Sequence, residues 1–260
     1  MEDLIVIKIG GNLLDDDASL SAFLNDFAAI AGNKILIHGG GKLATGLAQT
    51  LGIETQMVNG RRITDKETLK VVTMVYAGLI NKTIVSGLQA RGCNALGLTG
   101  ADANMILAHK RRHLEIDFGF VGDIDLVNTA PLAHFLNAGF VPVLAPLTHD
   151  GHGNMLNTNA DTIAAALALA LQAHYNTQLV FCFDKKGVLA SSNENDVISR
   201  LTGTEYQRLR EAGVISKGML PKLENAFEAL HAGVQSALIC HASQLLPALR
   251  GEACGTRLVA

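Results

Sequence analysis

The feature that most constrains this chain is a rhythm. Short aliphatic runs recur along it, among them LIVIKI (4–9), KILIH (34–38), NALGLTG (94–100), GFVPVLAPL (139–147), QLVFCFD (178–184) and SALICH (236–241). Stretches with helical periodicity lie between them, near 20–30, 41–51, 65–91, 204–212 and 219–232. Runs that are apolar at every position, rather than at alternate ones, suit strands buried on both faces. Strand–helix alternation of this kind predicts a parallel sheet with helices on both sides. The segments NMILAHKRR and FGFVGDIDLVN alternate more strongly and predict antiparallel strands. The fold class expected is therefore α/β, a three-layer αβα sandwich with a mostly parallel central sheet. A boundary near 175 divides it into two lobes, residues 1–175 and 176–260.

One residue breaks the first run. Lys8 stands inside an apolar strand just before Gly10 and Gly11. Burying an ammonium group is costly unless negative charge meets it. At the carboxyl end of a strand in an open α/β sheet, that charge is readily a ligand's. Glycines there let backbone N–H groups come close to an anion. An edge strand whose lysine reaches water is the alternative, and the flanking isoleucines disfavour it. LIHGGGKLATG (36–46) repeats the arrangement of strand, glycines and helix. It fits neither the dinucleotide fingerprint nor the P-loop, and alone it reads equally as a tight turn. Two such turns within forty residues point to anion binding.

Further polar clusters follow. NGRRIT (59–64) sets two arginines beside a turn, and arginine grips carboxylates with two parallel bonds. MLNTNAD (155–161) places Asn157, Asn159 and Asp161 where the IAAALALAL helix opens; one of them suffices as a cap. KGMLPKLENAF (217–227) puts Pro221 and Lys222 in a first helical turn, where the macrodipole disfavours a cation. A surface lysine is the plain reading of Lys222 taken alone.

Composition excludes several classes. With a net charge of −3 and 17% charged residues, nothing marks a nucleic-acid partner. The acidic start MEDLIVIK lacks a basic n-region, so no signal peptide is expected. The purely aliphatic run at 163–171 is too short for a bilayer that needs roughly 20 residues. Cys93, Cys182, Cys240 and Cys254 contain no C-x-x-C pair, so reduced thiols in a cytoplasmic protein are expected. DFG (117–119) lacks the other kinase motifs. HDGH (149–152) lacks a further ligand set, so no protein-held metal site is expected. His109 and His113 flank a basic run, KRR, expected to be solvated.

Taken in order, IKIGGNLL, IHGGGK, NGRRIT, GFVGDIDLVN, GFVPVLAPL, NTNADTIAAALA, KGMLPKLENAFEAL and GTRLV resemble the acetylglutamate kinase family of the amino acid kinase superfamily, across essentially the whole chain. The resemblance implies an N-terminal lobe for the amino acid and a C-terminal lobe for ATP with Mg2+, the metal held mainly by the nucleotide. It implies Lys8 and Lys222 flanking the transferred phosphoryl group, with Asp161 orienting both. Gly10, Gly11, Gly40 and Gly41 would offer N–H groups to phosphates and substrate. Arg62, Asn157 and Asn159 would hold the N-acylglutamate, and Asp184 and Lys217 would join the ATP side. FCFDKKGVL (181–189) departs from the family pattern at Phe183, Lys185 and Lys186 and puts the nucleotide pocket's detail in question. Acetyl is the expected acyl group. Succinyl is the alternative, with Arg61 and the HKRR run (109–112) as cations for its extra carboxylate. Sister kinases of aspartate, glutamate or carbamate, and a non-catalytic sensor of the same fold, are weaker readings. The wide apolar stripe over 65–91, with Leu69, Val72, Tyr76, Leu79 and Leu88, predicts a homodimer. The early first strand predicts no arginine feedback.

Overall fold

The computed structural model describes residues 1–58, 60–191, 193, 195–215 and 218–260, with Asn12 by its backbone alone. Eight strands form the main sheet. Their order is Arg200–Thr202, Thr256–Val259, Ser236–His241, Tyr175–Phe183, Glu2–Ile9, Asn33–His38, Val141–Leu144 and Ala95–Leu98. Neighbours run parallel except Ser236–His241 against Thr256–Val259. The sheet is unbroken at residue 175, because Tyr175 to Cys182 pair residue for residue with Glu2–Ile9.

Strand parity explains the two cores. Leu4, Val6, Ile35 and Ile37 face one side and pack with helices Thr129–Asn137, Ala160–Leu171 and Leu220–His231. Ile7, Ile9 and Leu36 face the other and pack with helices Asp17–Ala29 and Gly41–Thr50 and the long helix Lys66–Gln89. Successive strand side chains alternate between faces, so a strand buried on both sides is apolar throughout. Lys8 shares the parity of Leu4 and Val6 and points to the first side.

A second sheet of Met155–Asn157, Leu147–His149, Ile106–Lys110 and Gly122–Val127 is mostly antiparallel, as the alternating segments predict. The run GFVPVLAPL, expected as one strand, is split. Val141–Leu144 stays in the main sheet, the chain turns at Ala145 and Pro146, and Leu147–His149 joins the second sheet. Pro146 has no N–H with which to continue a ladder.

The long helix begins as expected, with the Asp65 side chain accepting from the Thr68 N–H at 2.7 Å, and ends before Gly92 at φ +69°. Its middle departs from the expectation. Met74–Ile80 is π-helical, so the register rotates. Ile80 turns inward, and Leu79, expected in the buried stripe, is 60% exposed. By length and composition this helix could cross a membrane. Its apolar side is instead taken up by the core through Val72, Tyr76, Ile84 and Leu88.

Candidate active site

The centre of the site is a buried carboxylate between two lysines. Asp161 lies in the first turn of Ala160–Leu171 and Lys8 near the end of the central strand Glu2–Ile9, with Nζ 2.7 Å from Asp161 Oδ1. Lys222, in the first turn of Leu220–His231, places its Nζ 3.1 Å from Asp161 Oδ2. Burial alone would raise the Asp161 carboxyl, but the ammonium groups of Lys8 and Lys222 outweigh it and hold the carboxyl below its ordinary range. The helix N-terminus also favours the anion. Lys222 is thus no surface lysine: its side chain is 18% exposed and turned inward.

Two glycine turns meet beside this centre. Gly10 lines the cleft with Gly11, Phe183, Asp184, Lys8 and Lys222 in a cavity of about 300 Å³. The Gly10 N–H is not free for an anion, because it donates to the Cys182 carbonyl at 2.9 Å. Space is also tight there, since a Cβ on Gly10 would lie 3.3 Å from Phe183 Cβ. The second turn abuts the first, since a Cβ on Gly39 would lie 3.3 Å from the Gly11 nitrogen. Gly40 has φ +156°, and a Cβ there would stand 2.4 Å from Ile80 Cδ1, so no larger residue fits.

Beyond the second turn lies a pocket of about 180 Å³ that includes Gly40, Gly41, Arg61, Arg62, Tyr76, Asn157 and Asn159. Arg62 is buried and anchored through Nη2, which donates to the Gly41 carbonyl and to Thr45 Oγ1, both at 2.8 Å. Asn157 Nδ2 donates to Thr64 Oγ1 at 3.0 Å. Asn159 is the cap of its helix and accepts from the Asp161 and Thr162 N–H groups at 2.8 and 3.1 Å. On the opposite side, Lys185, Val188, Leu189, Val214, Ile215 and Met219 line an apolar recess of about 570 Å³ that opens next to Asp184. The sequence analysis missed this recess. Its walls come from separate loops, and no local spacing links them. Lys217, expected on that side, lies outside the described residues, as do Ser192 and Glu194 of the loop 190–199 and Asn59 of NGRRIT.

The other clusters are structural. In DFG, the Phe118 carbonyl accepts from the Thr64 N–H, and Asp117 accepts from the Gly119 N–H, which brace the Arg62 hairpin. In HDGH, Asp150 accepts from the His152 and Asn154 N–H groups and closes a turn. The basic run is not simply solvated: Arg111 Nε holds Asp123 at 3.0 and 3.1 Å, and Lys110 lies 3.8 Å over the Phe120 ring. Among the described residues, no three His, Cys, Asp or Glu side chains converge as a metal site requires.

Known proteins resemble this chain in sequence and in fold. An acetylglutamate kinase from Cytophaga hutchinsonii is 55% identical over 263 aligned residues, covering 100% of each chain. One from Bacteroides thetaiotaomicron is 59% identical over 94% of this chain and 95% of its own. Among solved structures, an N-acetylglutamate synthase from Neisseria gonorrhoeae, complexed with coenzyme A and N-acetyl-glutamate, superposes with a TM-score of 0.83. It covers 99% of this chain, which spans only 59% of that protein, and at 24% identity the likeness is one of fold. Residues 3–241 match the amino acid kinase family. With full-length relatives above 50% identity, the chain belongs to the amino acid kinase family, in its acetylglutamate kinase branch.

Proposed function

We propose that this chain phosphorylates the γ-carboxylate of N-acetyl-L-glutamate with ATP, an early step of arginine biosynthesis in the cytoplasm. The observation that carries the reading is the Lys8–Asp161–Lys222 centre, set between an apolar recess and a pocket floored by Arg62. In this reading residues 176–260 supply most of the nucleotide's contacts and residues 1–175 those of the acylamino acid. The purine sits in the recess, the phosphates run along Gly11 towards the lysines, and Arg62 and Asn157 hold the acylamino acid.

A γ-carboxylate oxygen forms a bond to the γ-phosphorus as the bond from that phosphorus to the β,γ-bridging oxygen breaks. The products are an acyl phosphate and ADP. The nucleophile is already ionised at neutral pH, so no general base is needed. Lys8 and Lys222 stabilise charge as it spreads over the phosphoryl oxygens, and Asp161 keeps both lysines aimed. Mg2+ would come with the nucleotide, held mainly by it, and would add positive charge at the phosphates.

A second reading has one observation in its favour. Arg61 lines the same pocket as Arg62, half-buried, near the Arg111–Asp123 pair. A substrate with a carboxylate on its acyl group, such as N-succinylglutamate, would use that cation. ATP consumption measured with N-acetylglutamate, N-succinylglutamate, glutamate and aspartate tests both readings. Turnover confined to N-acylglutamates supports the kinase, and a preference above about tenfold for the succinyl compound moves the acyl assignment. No turnover with any of the four supports a sensor. The exposed Met74 and Leu79, 54% and 60% accessible on the long helix, support a homodimer, and light scattering checks it.

A further inference from the structure

The π-helical segment Met74–Ile80 lies where the long helix passes the Gly39–Gly41 turn. In an α-helix, side chains five apart diverge by about 140°. A π turn is closed by i→i+5 bonds and brings such residues towards one face. Tyr76 and Asn81 are five apart, and both reach the same glycine turn. Asn81 Nδ2 lies 3.3 Å from His38 Nε2, and His38 Nδ1 holds the Gly39 carbonyl at 2.7 Å. The Tyr76 ring passes 2.8 Å from where a Gly40 Cβ would stand.

This register carries the Tyr76 hydroxyl to the carboxylate pocket. It lies 4.0 Å from the projected Gly41 Cβ, and Arg62 Nη2 lies 3.8 Å from the same point. Tyr76 is 5% exposed and Arg62 7%, so neither is a solvated surface group. Burial pushes the phenol above its ordinary range against the opposing guanidinium, so it stays protonated at neutral pH. A guanidinium offers only donors. The hydroxyl proton beside it therefore needs an acceptor, and among the described residues no carbonyl or carboxylate takes it.

We propose that Tyr76 is a recognition residue for the acylamino acid, donating its hydroxyl proton to the α-carboxylate that Arg62 grips. The inference rests on the assignment of this pocket to that substrate. The guanidinium fixes the plane of the carboxylate, and the phenol fixes its rotation. Recognition of this kind acts equally on ground and transition states, so its loss raises KM without lowering kcat.

Tyr76→Phe keeps the ring against Gly40 and removes only the hydroxyl. Steady-state kinetics should show the KM for N-acetylglutamate raised about tenfold, or 1.4 kcal/mol, with kcat and the ATP KM within about twofold. A purely packing role would leave that KM unchanged, and such a result overturns the proposal. Arg62→Ala, assayed alongside, separates the two levels. If Arg62→Ala raises the N-acetylglutamate KM and Tyr76→Phe does not, the role of Tyr76 falls and the pocket assignment stands. If Arg62→Ala leaves that KM unchanged, the pocket assignment falls and takes the role of Tyr76 with it.

Discussion

Two adjacent strands end in glycine turns, and the turns differ by one residue of phase. Lys8 is two residues before Gly10, whereas His38 is immediately before Gly39. The strands pair Lys8 with Ile37 and Ile9 with His38, so the two polar side chains point to opposite faces of the sheet. Lys8 meets Asp161 and Lys222, a centre of concentrated charge. His38 meets Asn81 and the Gly39 carbonyl, a neutral network that fixes the shape of the turn. Burial drives His38 down to about pKa 4, against a bond to Gly39 that favours its charged form, so it stays neutral near pH 7. Similar sequence at the end of similar strands thus builds two different settings, a buried charged cluster beside one turn and a neutral hydrogen-bonded network behind the other.

The comparison breaks first at the charged turn. Lys8→Ala and Lys222→Ala should each lower kcat roughly 100-fold or more, the size of one lost electrostatic stabiliser. Either variant leaves Asp161 paired with the remaining lysine, so melting temperature should change far less than rate. Asp161→Asn should abolish activity and also destabilise, because it strands two inward-turned ammonium groups. Near-normal kcat in either lysine variant would falsify its role.

The neutral turn should fail through shape instead. Gly40→Ala forces a Cβ to 2.4 Å from Ile80 Cδ1, whereas a Cβ on Gly11 meets nothing closer than 3.8 Å. Gly40→Ala should cost about 1–3 kcal/mol in a denaturant titration, and Gly11→Ala within about 0.5 kcal/mol. Equal losses would mean that the two turns are not built differently.

The neutral turn also carries a pH dependence. The folded pKa of His38 lies below its ordinary 6.5, so its contribution is full above that value and is lost as pH falls towards about 4. Between pH 6.5 and pH 5 the wild type should lose roughly 1.5 kcal/mol more stability than His38→Gln. Parallel pH slopes for the two proteins would contradict a buried neutral histidine.

Much of this was legible in the residues. Lys8 announced itself as a cation in an apolar strand, and the two glycine turns and the crowding of polar residues at 157–161 marked the site. Lys222 was ambiguous, because an inward lysine and a surface lysine have the same local sequence; only Asp161, 61 residues away, distinguishes them. The Gly10 N–H was misjudged for a related reason, since its acceptor, Cys182, sits on another strand. The π segment left no mark in composition, and it decides that Ile80 faces inward in place of Leu79. Pro146 signalled a break that the surrounding aliphatic residues concealed. Lys222, Gly10 and the π segment escaped because a long-range pairing or a change of helical register is not encoded by neighbours.

The central claim is that the charged turn receives the nucleotide's γ-phosphate and the neutral turn the substrate's carboxylate. A crystal structure of the full chain with a non-hydrolysable ATP analogue, Mg2+ and N-acetyl-L-glutamate tests it most directly. The account predicts the γ-phosphate between Lys8 and Lys222, the purine against Val214 and Met219, and the α-carboxylate on Arg62. An α-carboxylate on Lys8 or Lys222, or nucleotide phosphates on Arg62, would contradict it.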